Sequence, residues 1–494
     1  MNDGACRRAN PAKLVYSCSI PAPVSNMTNF LDTLVAIVGR SYVLTERGSQ
    51  TKYVTDWFGR VTGNALAVVR PSSVNEVSLV VKACASHRVS IVPQGGNTGL
   101  VGGALPDASG KQIVLALDRL NAILHIDPAG KTMTVESGVL LAVVHQAAQE
   151  NGLEFPLNMG SEGSCTIGGV LSTNAGGTAV LRYGNARDLC LGVQVVTATG
   201  EIWDGLRALR KDNTGYDLRD LFIGSEGTLG IVTAAVLKLV PRPKAQLAAM
   251  IAVQSPDKAV DLLRQAQSTL GSLLTAFELI SHDCLKLVAN YFPQYAYPFS
   301  TSTPFAVLLE ITDHESEDHA TASLERLLES SIESGLVTDA LIPQTLAQSS
   351  RFWEIREHIP LAQVEDGKNI KHDISLPISK IPEFLKEIEA HLKTDFPGSR
   401  VIVFGHLGDG NLHFNVAAPP GVSPENFMIQ KSSVNLCIHD LVHALNGSVS
   451  AEHGIGSMKV EELRRYKSPI EMGLFRSIKS ALDPQGIFNP GKIL

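Results

Sequence analysis

Two short stretches near the C-terminal end hold residue types that could bind a metal: Gly405-His406-Leu407-Gly408-Asp409-Gly410-Asn411-Leu412-His413 and Ala451-Glu452-His453-Gly454-Ile455-Gly456. Asp409-Gly410 is the strongest kind of short hairpin signal. With those two as the loop, Gly408 faces Asn411, Leu407 faces Leu412 and His406 faces His413. Directly opposed residues of an antiparallel pair project to the same face, so two imidazoles stand side by side. Glu452 completes a two-histidine, one-carboxylate site with an open position for substrate. A lone histidine is more often a satisfied surface or core residue, but the pairing and the adjacent His453 favour the metal. Zinc suits these ligands best, with manganese, iron and cobalt left open.

Three Gly-rich blocks precede this pair. The first, Pro93-Gln94-Gly95-Gly96-Asn97-Thr98-Gly99-Leu100-Val101-Gly102-Gly103, follows the apolar run Ile91-Val92. Successive glycines let backbone N–H groups converge into an anion nest suited to a pyrophosphate. The second runs from Gly160 to Gly177 and mixes glycines with Ser161, Ser164, Thr166, Ser172, Thr173 and Asn174. That composition allows close approach to a large planar cofactor. The third is Gly224-Ser225-Glu226-Gly227-Thr228-Leu229-Gly230-Ile231-Val232. No Rossmann GxGxxG occurs. Gly486 to Lys492 imitates the start of a P-loop, but Ile493 stands where Ser or Thr is required.

These elements need a large scaffold. The chain has 494 residues, enough for two or three domains. Its net charge of −7 gives no basic footprint for nucleic acid. No apolar run reaches the ~18–20 residues of a membrane span. The seven cysteines are scattered, odd in number and form no CxxC, which fits a reducing compartment without structural disulfides. Residues 1–26 read as a disordered tail or a start placed too early, with Met27 as the natural beginning. A transit peptide is the competing reading, because acidic residues are scarce there.

Residues 27–243 alternate short β-branched runs with Gly-rich turns. A strand at Ala67–Val69, a helix Val74–His87 and a strand Val89–Val92 form a βαβ-like opening. Further strands are expected at Ile113–Leu117, Thr132–Glu136, Val193–Thr197 and Gly230–Val240, with a helix over Leu140–Asn151. Residues 244–423 pair strands such as Ala248–Val253 and Phe305–Ile311 with amphipathic helices Pro256–Leu270, Glu317–Ser334 and Ile381–Thr394. This predicts an antiparallel sheet with helices on one face, an α+β domain. Residues 424–494 read as a mostly helical segment.

The three Gly-rich blocks, then GHLGDGNLH, EHGIG and a closing FNPGK, together resemble the vanillyl-alcohol-oxidase-type flavoproteins. Within these they are most similar to the FAD-dependent D-2-hydroxyacid dehydrogenases, of which the D-2-hydroxyglutarate dehydrogenases are the nearest type. The resemblance covers about residues 50–494. It implies an α+β protein with a two-part FAD-binding domain, a substrate (cap) domain with an antiparallel sheet, and a C-terminal segment returning to the flavin. It implies cofactor contacts from Pro93, Gly95, Gly96, Asn97, Thr98, Gly99, Pro156, Gly163, Ser164, Gly168, Gly169, Thr173, Asn174, Gly176, Gly177, Glu226, Gly230, Ile231, Asn489 and Lys492. Covalent relatives carry a histidine in the first loop. Asn97 stands there, so the FAD is expected to be noncovalent.

On the substrate side, Trp353-Glu354-Ile355-Arg356-Glu357 looks like the W-x-x-R-E element whose Arg holds a carboxylate, a task suited to a planar fork of donors. Lys371-His372-Asp373 resembles the segment whose Lys meets a second carboxylate. Asn415 is expected to assist. Pro360 departs from the resemblance, because a threonine stands there in the dehydrogenases most like this chain. The implied reaction has a metal at His406, His413 and Glu452, His453 as general base, and hydride transfer to the flavin, giving a 2-keto acid. Electrons then pass to a flavoprotein or quinone acceptor. A cytoplasmic location (mitochondrial in a eukaryote) is expected, and a homodimer is left open. The alternatives are D-lactate, D-malate or glycolate oxidation, a non-redox ether-lipid-forming flavoenzyme, and a non-catalytic flavin subunit.

Overall fold

The computed structural model describes residues 25–343 and 345–494. The reading of residues 1–26 therefore lies outside the described residues, except for Ser25 and Asn26 at the start of a helix Ser25–Val38. Among the described residues no helix is long and apolar enough to cross a membrane.

The first part of the chain builds two main sheets and a small antiparallel pair, Leu153–Glu154 with Val240–Pro241. One has four strands in the order Val43–Leu44, Ala67–Val69, Gln112–Ala116, Ser90–Gln94, with the last three parallel. Helix Val74–His87 supplies the crossover between Ala67–Val69 and Ser90–Gln94. It starts where the sequence says it should, because the Ser73 hydroxyl accepts from the Glu76 N–H. The second sheet has five antiparallel strands: Ile123–Asp127, Thr132–Glu136, Ile231–Lys238, Cys190–Val196 and Ile202–Gly205. Each has its own apolar core. Ile487 and Phe488 sit in the core of the first sheet, and Ile91 exchanges backbone hydrogen bonds with Ile487 and Asn489. The C-terminal tail thus returns alongside the strand that feeds the first Gly-rich loop.

The later part is one seven-stranded sheet, antiparallel throughout, in the order Asp339–Leu341, Ala245–Val253, Phe305–Asp313, Leu274–Ser281, Arg400–Gly405, Asn411–Ala417, Asn369–Ser375. Helices Pro256–Leu270, Glu317–Glu333, Ile381–Asp395 and Lys431–Ala444 bury their apolar stripes on one face. The expectation of helices on one face only is corrected: His282–Tyr291 and Leu346–Asp366 cover the other. Helix Lys431–Ala444 shares this sheet's core, so by packing it goes with the sheet rather than with a separate C-terminal segment.

The second face is unusual in its polar content. Side chains alternate across a sheet, and here the inward set includes Glu278, Glu310, Asp373, His413 and Asn415. Helix Leu346–Asp366 answers with polar side chains of its own. Trp353 Nε1 donates to Glu310 (2.6 Å), Arg356 Nε to Glu278 (2.7 Å), and Gln363 accepts from Asn415 (2.9 Å).

Glu310 is buried, and burial pushes its carboxyl up to about 7. A carboxyl raised in the folded state stabilises below its unfolded value near 4.5, and that contribution is lost as pH rises through about 7. The loss is on the order of 3 kcal/mol. We expect Glu310→Gln to gain stability relative to the wild type as pH increases from 5 to 8, measured by thermal melts at stepped pH. Parallel pH curves for the two proteins would refute this.

Candidate active site

The hairpin register differs from the sequence expectation. Phe404, not His406, lies opposite His413. A two-residue type I′ loop requires positive φ at both central residues. Gly410 has φ 88° but Asp409 does not have positive φ. The strand instead ends at Gly405 (φ 146°), and the His406 carbonyl accepts from the N–H groups of Asp409, Gly410 and Asn411. The shift by two residues preserves the face, so the His406 and His413 rings still meet edge-on, 5.8 Å between centroids.

Asp373, His413, Glu452 and His453 bring one donor atom each within 4.8 Å of one another. Glu452 Oε1 lies 3.8 Å from His413 Nε2 and 3.8 Å from His453 Nε2. Two donors ~2.1 Å from one tetrahedral metal stand ~3.4 Å apart, so the His413–Glu452 spacing suits a shared ion. His406 lies outside that group of four, and its Nδ1 hydrogen-bonds Glu278. Asp373 was not foreseen. Its Oδ1 accepts from Asn411 Nδ2 (2.9 Å), and its Oδ2 accepts from the N–H groups of Glu452 (3.0 Å) and His453 (2.9 Å). These bonds occupy both oxygens, so Asp373 acts as the anchor of the 451–456 loop and faces His453 Nδ1 at 3.6 Å. The His453 and His413 rings stack at 6.1 Å.

Electrostatics follow from burial. Burial would raise Glu278, but the His406 and Arg356 charges hold it down at about 2. Burial likewise opposes charge on His406, but Glu278 outweighs it and lifts the imidazole to about 9, so a metal bound at its Nε2 must displace a proton. His413 is pushed well below its usual range by burial and by Arg356. It is thus the neutral imidazole that a metal requires.

Arg356 is buried beside Glu278, and neither of its Nη groups has a hydrogen-bond partner among the described residues. Lys371 stands on the edge strand, two residues from Asp373 and on the same face, with its Nζ 5.9 Å from the Phe58 ring. Crowding by the surrounding protein and the Arg60 charge lower its pKa, although the side chain remains exposed to solvent. The sequence reading missed this approach of the 56–62 loop. Asn415 is paired with Lys371 but is largely committed: Oδ1 accepts from His372 N–H and one Nδ2 hydrogen goes to Gln363.

The candidate cofactor residues form a second, contiguous surface. The first loop packs directly on the second block: a Cβ on Gly95 would strike Thr166 Oγ1, and one on Gly96 the Ser164 carbonyl. Gly168 lies against Ser137, and Gly177 against the Asn158 carbonyl. Thr173 Oγ1 caps back to the Gly169 carbonyl, and Asn174 Oδ1 accepts from the Arg187 N–H. Pro93 packs under Gly227, Gly230 touches Phe222, and Ile231 pairs with Val196. Pro156 is buried, whereas Gly99 and Gly163 have open space around them. Four of these candidates, Asn97, Asn174, Glu226 and Asn489, hold positive φ although none is glycine. Such strain gathers where a ligand is cradled.

Three buried polar atoms on this surface or beside it have no partner: Ser137 Oγ, Thr166 Oγ1 and Asn489 Oδ1. Lys492 is buried near Glu226. Orphaned donors and acceptors in a glycine-lined cradle fit a large polar cofactor. Glu226 itself does something else with its carboxylate. Its two oxygens accept from the N–H groups of Ile455 and Gly456, 2.7 Å each, joining the cradle to the loop that carries Glu452 and His453. Gly176 meets the same loop, since a Cβ there would lie 3.4 Å from Glu452 Oε2.

A methyl at Gly96 has no room, and overpacking costs about 1–3 kcal/mol. Gly96→Ala is therefore expected to purify with less flavin, read from the flavin-to-protein absorbance ratio. Wild-type flavin content would refute the role of that contact.

Known proteins agree with this architecture. Residues 65–205 match the family described as FAD binding domain, and residues 242–493 match FAD linked oxidases, C-terminal domain. The chain is 40% identical to a D-2-hydroxyglutarate dehydrogenase of Xanthomonas citri pv. viticola, covering 91% of this chain and 93% of that one. It is 38% identical to the mitochondrial D-2-hydroxyglutarate dehydrogenase of Arabidopsis thaliana, covering 93% and 80%. Among solved structures, p-cresol methylhydroxylase with substrate bound superposes with TM-score 0.76 at 15% identity, covering 95% of this chain and 97% of that one. Alkyldihydroxyacetonephosphate synthase superposes at 0.70 and 17%, covering 97% and 87%. These two show the fold alone. By sequence the chain belongs to the FAD-linked oxidases, in the D-2-hydroxyglutarate dehydrogenase family.

Proposed function

We propose that this chain oxidises D-2-hydroxyglutarate to 2-oxoglutarate, using noncovalent FAD and a divalent metal, zinc by ligand type, at His406, His413 and Glu452. One observation carries the reading. On one face of the seven-stranded sheet two cations, Arg356 and Lys371, flank the His413–Glu452–His453 cluster, and the glycine cradle meets the cluster at Glu452. Two cations around one reacting centre match a substrate with a carboxylate at each end. Noncovalent attachment is supported by Asn97, whose Nδ2 is spent on the carbonyls of Lys52 and Thr55.

When bound, the flavin supplies the acceptor for the C2 hydride, and the metal supplies the positive charge that acidifies the C2 hydroxyl. His453 receives the hydroxyl proton at Nε2. Its Nδ1 faces Asp373, which favours the tautomer that leaves Nε2 free and stabilises the imidazolium that forms. Arg356 offers its two open Nη groups to one carboxylate, and Lys371 offers its ammonium to the other. The remaining Nδ2 hydrogen of Asn415 is available to the substrate. The electrons then leave to a protein or quinone acceptor.

Lys371→Ala tests the substrate assignment. A hydrogen bond to a charged group contributes about 1.5–3 kcal/mol, so kcat/KM for D-2-hydroxyglutarate should fall roughly 10- to 100-fold. Any turnover of D-lactate should survive. An unchanged kcat/KM for D-2-hydroxyglutarate would remove Lys371 from substrate recognition and favour the D-lactate reading.

A further inference from the structure

Strand Leu274–Ser281 has the sequence LTAFELIS, and all eight positions are buried. Glu278 is its one acidic residue, 1% exposed. An ionised carboxylate does not persist in such a place without partners. Its partners come from two different elements. Oε1 hydrogen-bonds His406 Nδ1, from the loop after Arg400–Gly405. Oε2 accepts from Arg356 Nε at 2.7 Å, from helix Leu346–Asp366.

We infer that Glu278 is a shared positioning residue, one carboxylate that orients both the metal-facing nitrogen of His406 and the substrate-facing amino groups of Arg356. The inference rests on the roles proposed above for those two residues.

The geometry dictates both halves. Once Nδ1 of His406 donates to a carboxylate, its second nitrogen, Nε2, is the one left to bind a metal, and the ring plane is fixed. The His413 ring meets it in a T-shaped contact. Once Nε of Arg356 is spent on Glu278, the end-on edge formed by its two Nη groups is left unbonded as a ready fork. The Phe404 ring, 5.1 Å from the guanidinium carbon, packs against that plane. The metal and carboxylate sites are therefore not independent. A disturbance at Glu278 reaches both, although Glu278 contacts neither ligand.

The test uses purified flavin-loaded protein and zinc alone as the probe, with its dissociation constant set by competition against a chromophoric chelator. Glu278→Gln keeps the shape of the side chain but presents an NH2 group where an acceptor oxygen was. We expect zinc binding about 10- to 100-fold weaker and a parallel rise in KM for D-2-hydroxyglutarate, with flavin content unchanged. A purely structural role would lower flavin content and melting temperature and leave the zinc affinity of the folded fraction unmoved. A change in zinc affinity alone, in KM alone, or in neither overturns the shared role.

If Glu278→Gln fails to retain FAD, Glu278→Asp carries the test. It keeps the charge and withdraws it by one methylene, so zinc affinity and KM must both worsen while flavin content holds. An unchanged zinc affinity overturns the inference. A wild type that binds no zinc defeats the metal reading itself, and the assignment to His406 falls with it. A wild type that binds zinc beside a Glu278→Gln that binds it equally defeats the Glu278 inference alone.

Discussion

Replacing His453 by Asn is expected to slow anaerobic flavin reduction by D-2-hydroxyglutarate about 10²- to 10⁴-fold while the protein keeps its metal. The two readouts matter together, because His453 is also one of the four donors that gather in the cluster. If His453 is the base, only the rate falls. If it is a ligand, metal content falls with the rate. The hydrogen bonding favours the base. Asp373 spends Oδ2 on the backbone N–H groups of Glu452 and His453 and Oδ1 on Asn411 Nδ2, and it faces His453 Nδ1, the arrangement that orients an imidazole for proton transfer. Stopped-flow absorbance with metal analysis of the same sample decides between the two.

Replacing Arg356 by Ala is expected to have the largest combined effect on stability and activity. Glu278 would remain buried with half its compensation gone, and removing one partner of a buried ion pair costs about 3–5 kcal/mol. The substrate would lose its two-pronged carboxylate contact, so KM should rise steeply. Arg356→Lys should recover part of the stability but little of the binding, because one ammonium cannot bond Glu278 and present a planar fork at once. Thermal melts and steady-state kinetics check the two effects separately. An Arg356→Ala protein as stable as the wild type would contradict the packing account, and an unchanged KM would remove Arg356 from the substrate site.

Much of the fold was legible because its local signals agree with its packing. Ser255 caps Pro256–Leu270 with Pro at the first helical position, and the helix runs over the predicted residues. Strand Thr132–Glu136 was read residue for residue from its β-branched alternation. Helix Leu346–Asp366 was not read as an element, and the reason is physical. Its inner face mixes the polar groups of Trp353, Arg356 and Gln363 with the buried Ile355, Ile359 and Ala362, and Pro360 lies inside it, so the apolar stripe is interrupted. The sheet face it covers is polar for the same reason.

The site was legible where chemistry is concentrated in sequence. The structure brings His413, Glu452 and His453 together from the two motifs. Asp373 and Glu278 were missed because each is one carboxylate in a strand, and what makes them important comes from other strands and loops. A signal did exist. Glu278 in LTAFELIS is the one acid of its strand, and Glu310 in FAVLLEITD follows five apolar residues; a buried acid demands a partner. The hairpin register was misjudged because Asp409-Gly410 was weighed as a two-residue loop, whereas Gly405 breaks the strand earlier.

The measurement closest to the central claim is flavin absorbance of the purified protein under anaerobic titration with D-2-hydroxyglutarate, D-malate and D-lactate, before and after EDTA. The expected result is bleaching by D-2-hydroxyglutarate that EDTA abolishes and zinc restores. Bleaching that is indifferent to EDTA would contradict the metal site, and no bleaching by any of the three acids would contradict the dehydrogenase reading.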